Sequence, residues 1–170
     1  MDADTLRDLQ SPIKEKYRRQ PDTAVIELRA EGRLDDPNGI SCSVETGRAL
    51  VKAGLHPASG GDGTLACSGD MLLQALVACA GVTLRAVATA TGIPIEGGKI
   101  VAEGDLDFRG TLGVAREAPV GFKAVRLRFE LEGDLSAEQV ATLQKLTERY
   151  CVVYQTLAAG VKPQVKFDRA

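Results

Sequence analysis

The chain predicts a single α+β domain, and three observations carry that expectation. Residues 70–91 are apolar on nearly every face and are followed by Gly92 and Pro94, the pattern of a helix at the centre of a fold. Two later stretches, 99–109 and 122–132, alternate apolar and charged residues with the period of half-buried strands. The elements come in the order α-βββ-α-ββ-α-β rather than as repeated strand–helix units, which argues against a doubly wound parallel sheet. At 170 residues there is room for one self-sufficient core and little for a second.

Composition narrows the function before any motif is read. Hydrophobic residues make up 44% and charged ones 26%, a soluble globular balance. Lys and Arg number 21 against 23 Asp and Glu, a net charge of −2 with pI about 5.5, so neither nucleic acid nor an anionic membrane is expected as the main partner. Aromatics at 4% and the absence of Trp weaken base stacking further. The charged start Met1-Asp-Ala-Asp-Thr-Leu-Arg-Asp8 lacks the apolar core of a signal peptide. Residues 72–90 are long enough to span a bilayer, but Gln74 and Arg85 interrupt them, and a buried core helix is the expectation. A cytoplasmic protein follows, whose four cysteines rest as thiols.

In chain order, Leu6, Leu9, Ile13 and Tyr17 predict a helix over 5–19, with Pro12 kinking it or opening a shorter helix capped by Ser11. Period two over 23–31 predicts a strand, residues 35–39 are turn chemistry, and further strands are expected at 40–44 and 49–51. Residues 57–69 form a glycine-rich loop without the spacing of a phosphate cradle. Ser68 is the expected N-cap of the long helix, with Asp70 placed for its dipole. The strands 99–109 and 122–132 present opposed acidic and basic outer faces, which predicts that they pair. Ser136-Ala-Glu-Gln139 is a capping box opening a last helix, with or without a break near Cys151, before Gly160 and Pro163. Residues 164–167 are the expected closing edge strand.

Little of this carries chemistry. His56, the only histidine, lies in a loop beside Pro57 and has no flanking signature. Cys42, Cys67, Cys79 and Cys151 show no CxxC pairing, so neither metal nor cofactor is expected. Cys42 and Cys67 read as structural. Cys79, three turns inside the apolar helix, is either a small core residue, inert because burial raises its pKa, or a nucleophile. In mid-helix it gains little from its own helix dipole, so reactivity needs a positive charge from a side chain.

Two longer runs resemble a known family. Asp70-Met-Leu-Leu-Gln-Ala-Leu-Val-Ala-Cys79-Ala-Gly-Val-Thr83-Leu84 is similar to the central helix of the OsmC/Ohr proteins, and Glu148-Arg-Tyr-Cys151-Val-Val-Tyr-Gln-Thr156-Leu157 resembles their second cysteine motif. The two lie on either side of the expected hairpin, and Gly39-Ile-Ser-Cys-Ser-Val-Glu-Thr46-Gly47 is similar to the family's N-terminal strands. The resemblance implies one OsmC-like domain over 1–170, with 1–22 as a helical extension. It implies antiparallel sheets wrapped around a long central helix in an intertwined homodimer. It also implies a thiol peroxidase acting on organic hydroperoxides, with Cys79 as the attacking thiolate and Cys151 closing a disulfide that an external dithiol reduces. An arginine, Arg33 or Arg48, would lower the thiolate pKa. The family's Asn-Pro-Glu helix entry is replaced here by Cys67-Ser68-Gly69 and then Asp70, the nearest substitute acid, and the proline after its second cysteine is Val152. The competing expectation is a non-catalytic dimer of the same fold that binds a small apolar ligand or acts as a slow redox sensor.

Overall fold

The computed structural model describes residues 2–5, 7–8, 11, 19, 32–33, 41–45, 50–113 and 115–168. Thr5, Arg7, Asp8, Ser11 and Arg19 are helical; the rest of the helix expected over 5–19, the predicted strand 23–31 and the turn 35–39 lie outside the described residues. One sheet runs β1 (Gly32–Arg33), β2 (Ser41–Glu45), β3 (Leu50–Gly54) and β4 (Ala66–Cys67) in spatial order, antiparallel except for the parallel β3–β4 pair. The strands expected at 40–44 and 49–51 are β2 and β3.

The long helix α1 (Ser68–Thr91) begins two residues earlier than its polarity suggests. Ala66 and Cys67 are drawn into β4 against Ala53 and Gly54, so Cys67 becomes the N-cap and makes no side-chain cap bond. Ser68, the expected cap, is inside the helix instead. The far end stops as expected: Gly92 takes a left-handed conformation (φ 69°) open to glycine, and its N–H closes on the carbonyls of Ala88 and Thr89. Leu76, Ala80, Leu84, Val87 and Ala88 form one buried stripe on α1. The helix is long and apolar enough to cross a membrane by length and composition, yet only 28% of its most apolar window is buried within the chain.

β5 (Gly97–Leu106) and β6 (Phe122–Glu132) form the expected antiparallel hairpin, with Glu103 opposite Arg126. Their outer charges meet as anticipated. The Arg126 guanidinium holds both oxygens of Asp105 at 2.6 and 2.7 Å and reaches Glu103 at 3.6 Å. β5 ends three residues before the predicted 109. Asp107 Oδ1 accepts the Arg109 N–H at 3.1 Å, turning the chain into a short helix α2 (Phe108–Thr111). The Arg109 guanidinium also grips Asp107 at 2.6 Å, holding that carboxyl down at about 2.

α3 (Ala137–Tyr150) opens on the predicted capping box: Gln139 N–H donates to Ser136 Oγ, and Ser136 N–H donates to Gln139 Oε1. The break near Cys151 is real and separates α3 from α4 (Val152–Ala159), which ends at left-handed Gly160. The predicted edge strand over 164–167 is not formed. Those residues are exposed and pair with no strand among the described residues, a segment of four being too short to hold without a neighbour beside it. The core lies where α1 packs on α3, around Leu84, Val87, Ala88 and Leu143, with Phe129, Leu131 and Leu146 against it.

Candidate functional site

Two helices bring Cys79 and Cys151 together. Cys79 lies beside the buried stripe of α1, one residue before Ala80, and is half-buried. Cys151 is 1% exposed and takes an extended backbone (φ −74°, ψ 109°) that both ends α3 and opens α4. A helix start leaves its first N–H groups without intrahelical partners. Here the N–H groups of Val152 and Val153 stand near the Cys79 sulfur and favour its charged form, as do the Cys151 thiol and the hydroxyl of Thr83, one turn further along α1.

This arrangement drives the two thiols apart in acidity. Burial pushes Cys79 up, but the Val153 N–H, the Cys151 thiol, the Val152 N–H and the Thr83 hydroxyl all favour its thiolate, and the balance lies below the ordinary thiol value. Burial pushes Cys151 up as well. The neighbouring Cys79 adds to that, as hydrogen-bond partner and as charge, against the N–H groups of Tyr154 and Val153, and the result lies above the ordinary value. Of the two sulfurs Cys79 is therefore the more acidic and Cys151 the less.

Beside the side-chain cation expected from the sequence, a second helix directs positive polarity at Cys79 from its backbone. Val152, Val153 and Thr83 were missed as contributors because their relation to Cys79 is tertiary. The one sequence signal was the valine standing where the resembling family has proline, since a proline there has no N–H to give.

The other expected residues are placed less close. Arg33 lies in β1 opposite Ser43, with its side chain outside the described residues, as is the whole of Arg48. Asp70 is exposed in the first turn of α1, nine residues and so roughly 13 Å of helix from Cys79. Within one chain it does not reach that sulfur. His56 caps the short turn Pro57–Ser59, its Nδ1 accepting the Ala58 N–H at 3.0 Å and its ring stacked on Phe108 at 5.0 Å, a structural histidine. Among the described residues no group of three or more His, Cys, Asp or Glu side chains stands close enough to hold a metal ion.

Beside the cysteine pair a cleft of about 500 Å³ opens between α1, β6 and α3. Leu84, Phe129, Leu131 and Leu143 line it, and Thr147 and Cys151 form part of its wall.

Comparison with known proteins agrees with this architecture. The profile of the OsmC-like protein family matches residues 61–166. No curated protein matches the sequence. Among solved structures, an OsmC-like protein from Mycoplasma pneumoniae superposes with TM-score 0.64 at 17% identity, covering 78% of this chain and 88% of its own. An organic hydroperoxide resistance protein OsmC from Legionella pneumophila gives TM-score 0.60 at 19% identity, over 78% of this chain and 90% of that one. An organic hydroperoxide resistance protein from Elizabethkingia anophelis, with thiocyanate bound, gives 0.59 at 14%, over 78% and 89%. At such identities these three establish a common fold.

Proposed function

The chain belongs to the OsmC-like protein family, and on that premise we propose that it reduces organic hydroperoxides with Cys79 as nucleophile and Cys151 as resolving thiol. The observation that carries the proposal is the contact between the two thiols and their opposed acidities. The Cys79 thiolate attacks the terminal oxygen of the peroxide and the O–O bond breaks. The alkoxide leaves and takes up a proton as the alcohol, and Cys79 becomes a sulfenic acid. Cys151 then attacks the sulfenic sulfur; its thiol proton leaves with the hydroxyl as water, and a disulfide joins the two residues. An external dithiol reduces that disulfide and is itself oxidised, which suits the reduced cytoplasm in which we place the protein.

Two further residues belong to this reading. Arg33 would supply the guanidinium that holds the peroxide and the departing oxygen. Asp70, too far along α1 to touch Cys79 of its own chain, would act only by orienting that arginine. The active form would be a homodimer, because Val82 (72% exposed) and Leu72 leave much of the apolar surface of α1 uncovered in one chain.

Treating the reduced protein with substoichiometric cumene hydroperoxide and mapping its peptides without reduction tests the proposal. A Cys79–Cys151 disulfide formed within the first turnover is expected. Two thiols left untouched would refute it.

A further inference from the structure

At the break between α3 and α4 a side-chain bond stands in for a backbone one. In a continuous helix the Val152 N–H would donate to the carbonyl of Glu148, four residues back. Here that N–H stands near the Cys79 sulfur, and the Glu148 carbonyl accepts from the Gln155 side-chain amide at 2.7 Å. The Gln155 backbone N–H donates to the Cys151 carbonyl at 2.9 Å and closes the first turn of α4. The Cys151 N–H donates to the Thr147 carbonyl at 2.9 Å and ends the ladder of α3. Gln155 therefore grips both sides of the break.

Little else fixes that turn. α4 has eight residues, none of them buried, and a helix so short is marginal without packing. Its direction rests on the contact with α1 and on the break itself. A carbonyl at a helix end takes whatever donor is near. Were the Glu148 carbonyl open, the Val152 N–H would be its nearest donor, and making that bond would run α3 on into α4 and turn the N–H away from Cys79. We propose that Gln155 is a positioning residue for Cys79: by occupying the Glu148 carbonyl, its amide keeps the break open and the first turn of α4 directed at that sulfur. As a role in catalysis this rests on the reading of Cys79 as the nucleophile. Its action runs through the amides of Val152 and Val153.

Gln155→Met tests the proposal on reduced full-length protein without peroxide, since it keeps the length and helix propensity of the side chain and removes the donor. Alkylation of Cys79 by iodoacetamide, followed at its own peptide across pH, should move to higher pH. Its rate at pH 7 should fall roughly threefold or more, the worth of one modest hydrogen bond. Gln155→Asn keeps the amide on a stem one methylene shorter, and its profile should lie between the two. Gln144→Met removes a different bond to the same residue, from Gln144 to the Glu148 carboxylate at 2.9 Å, and leaves the break alone. Its Cys79 profile should overlay that of wild type. An unchanged profile in Gln155→Met, or an equal shift in Gln144→Met, overturns the proposal. Failure of cumene hydroperoxide to join Cys79 to Cys151 would refute the peroxide reading, whereas these profiles, taken without peroxide, decide the role of Gln155 alone.

Discussion

Cys151 and Cys79 are neighbours across the junction of α1 with the α3–α4 break, and each changes the other's acidity in the opposite sense. Lowering a thiol's pKa populates its anion at lower pH, and the anion is what alkylates. Cys79 should therefore react with iodoacetamide at a pH below the range of a free cysteine, and Cys151 only above it. At pH 7 Cys79 should be alkylated faster than Cys151, since the larger fraction of it is thiolate. In Cys79→Ser the neighbouring charge is gone, and the Cys151 profile should move back toward lower pH. Coincident profiles for the two thiols would contradict the assignment.

Val152 stands first in α4, where a proline fits without distortion and removes one N–H. Cys151 already holds the extended backbone that precedes a proline. Val152→Pro should therefore leave the circular dichroism spectrum and Tm close to wild type while moving the Cys79 alkylation profile to higher pH. Loss of one hydrogen bond to the thiolate should slow its alkylation at pH 7 by roughly fivefold or more. An unchanged profile would remove the α4 amides from the list of activating groups.

Those amides show where reading the chain residue by residue stops. The β5–β6 alternation, the Ser136–Gln139 box and the Gly92 stop were legible because each is a local rule: period, cap or left-handed turn. Where a neighbour decided, the reading slipped. Ser68 lost the cap because β3 recruited the two residues before it, and β5 stopped early because the Asp107 side chain took a backbone N–H. Cys79 and Cys151 could be paired from the resemblance to a family. That the positive field at Cys79 comes from a second helix depends on a contact between residues more than seventy positions apart, and no sequence period records it.

The capping box is the clearest stability element of α3, since its two reciprocal bonds satisfy donors that the helix start would otherwise leave open. Ser136→Ala should cost about 1 kcal/mol, read as a lower urea midpoint with an unchanged slope. Leu143→Ala, from a side chain 1% exposed at the contact with α1, should cost about 2–5 kcal/mol. If Ser136→Ala costs as much as Leu143→Ala, the cap is tied to the core and is not a local feature.

Arg33 and Arg48 can be separated by rate. With Arg33 as the guanidinium at the site, Arg33→Ala should slow Cys79 oxidation by cumene hydroperoxide by about tenfold or more, whereas Arg48→Ala should stay within about twofold of wild type, as a surface charge does. Arg33→Lys keeps the charge but not the two-pronged donor, and should recover only part of the rate. The reverse order would transfer the role to Arg48.

The apolar surface of α1 sets the last expectation. A helix of 24 residues with one buried stripe and Val82 72% exposed leaves an apolar face that water disfavours, and a second copy of the chain presents an equally apolar one. Light scattering at micromolar concentration should therefore give twice 18.0 kDa, or 36.0 kDa. Val82→Lys should shift the mass toward the monomer, because an unpaired ammonium buried at that contact has no counter-charge supplied by the helix around it. Arg85 shares the exposed side but already donates to the Ile95 carbonyl at 2.7 Å, so Arg85→Lys serves as the control that should leave the dimer intact. A monomeric wild type, or Val82→Lys unchanged in mass, would place the contact elsewhere on the chain.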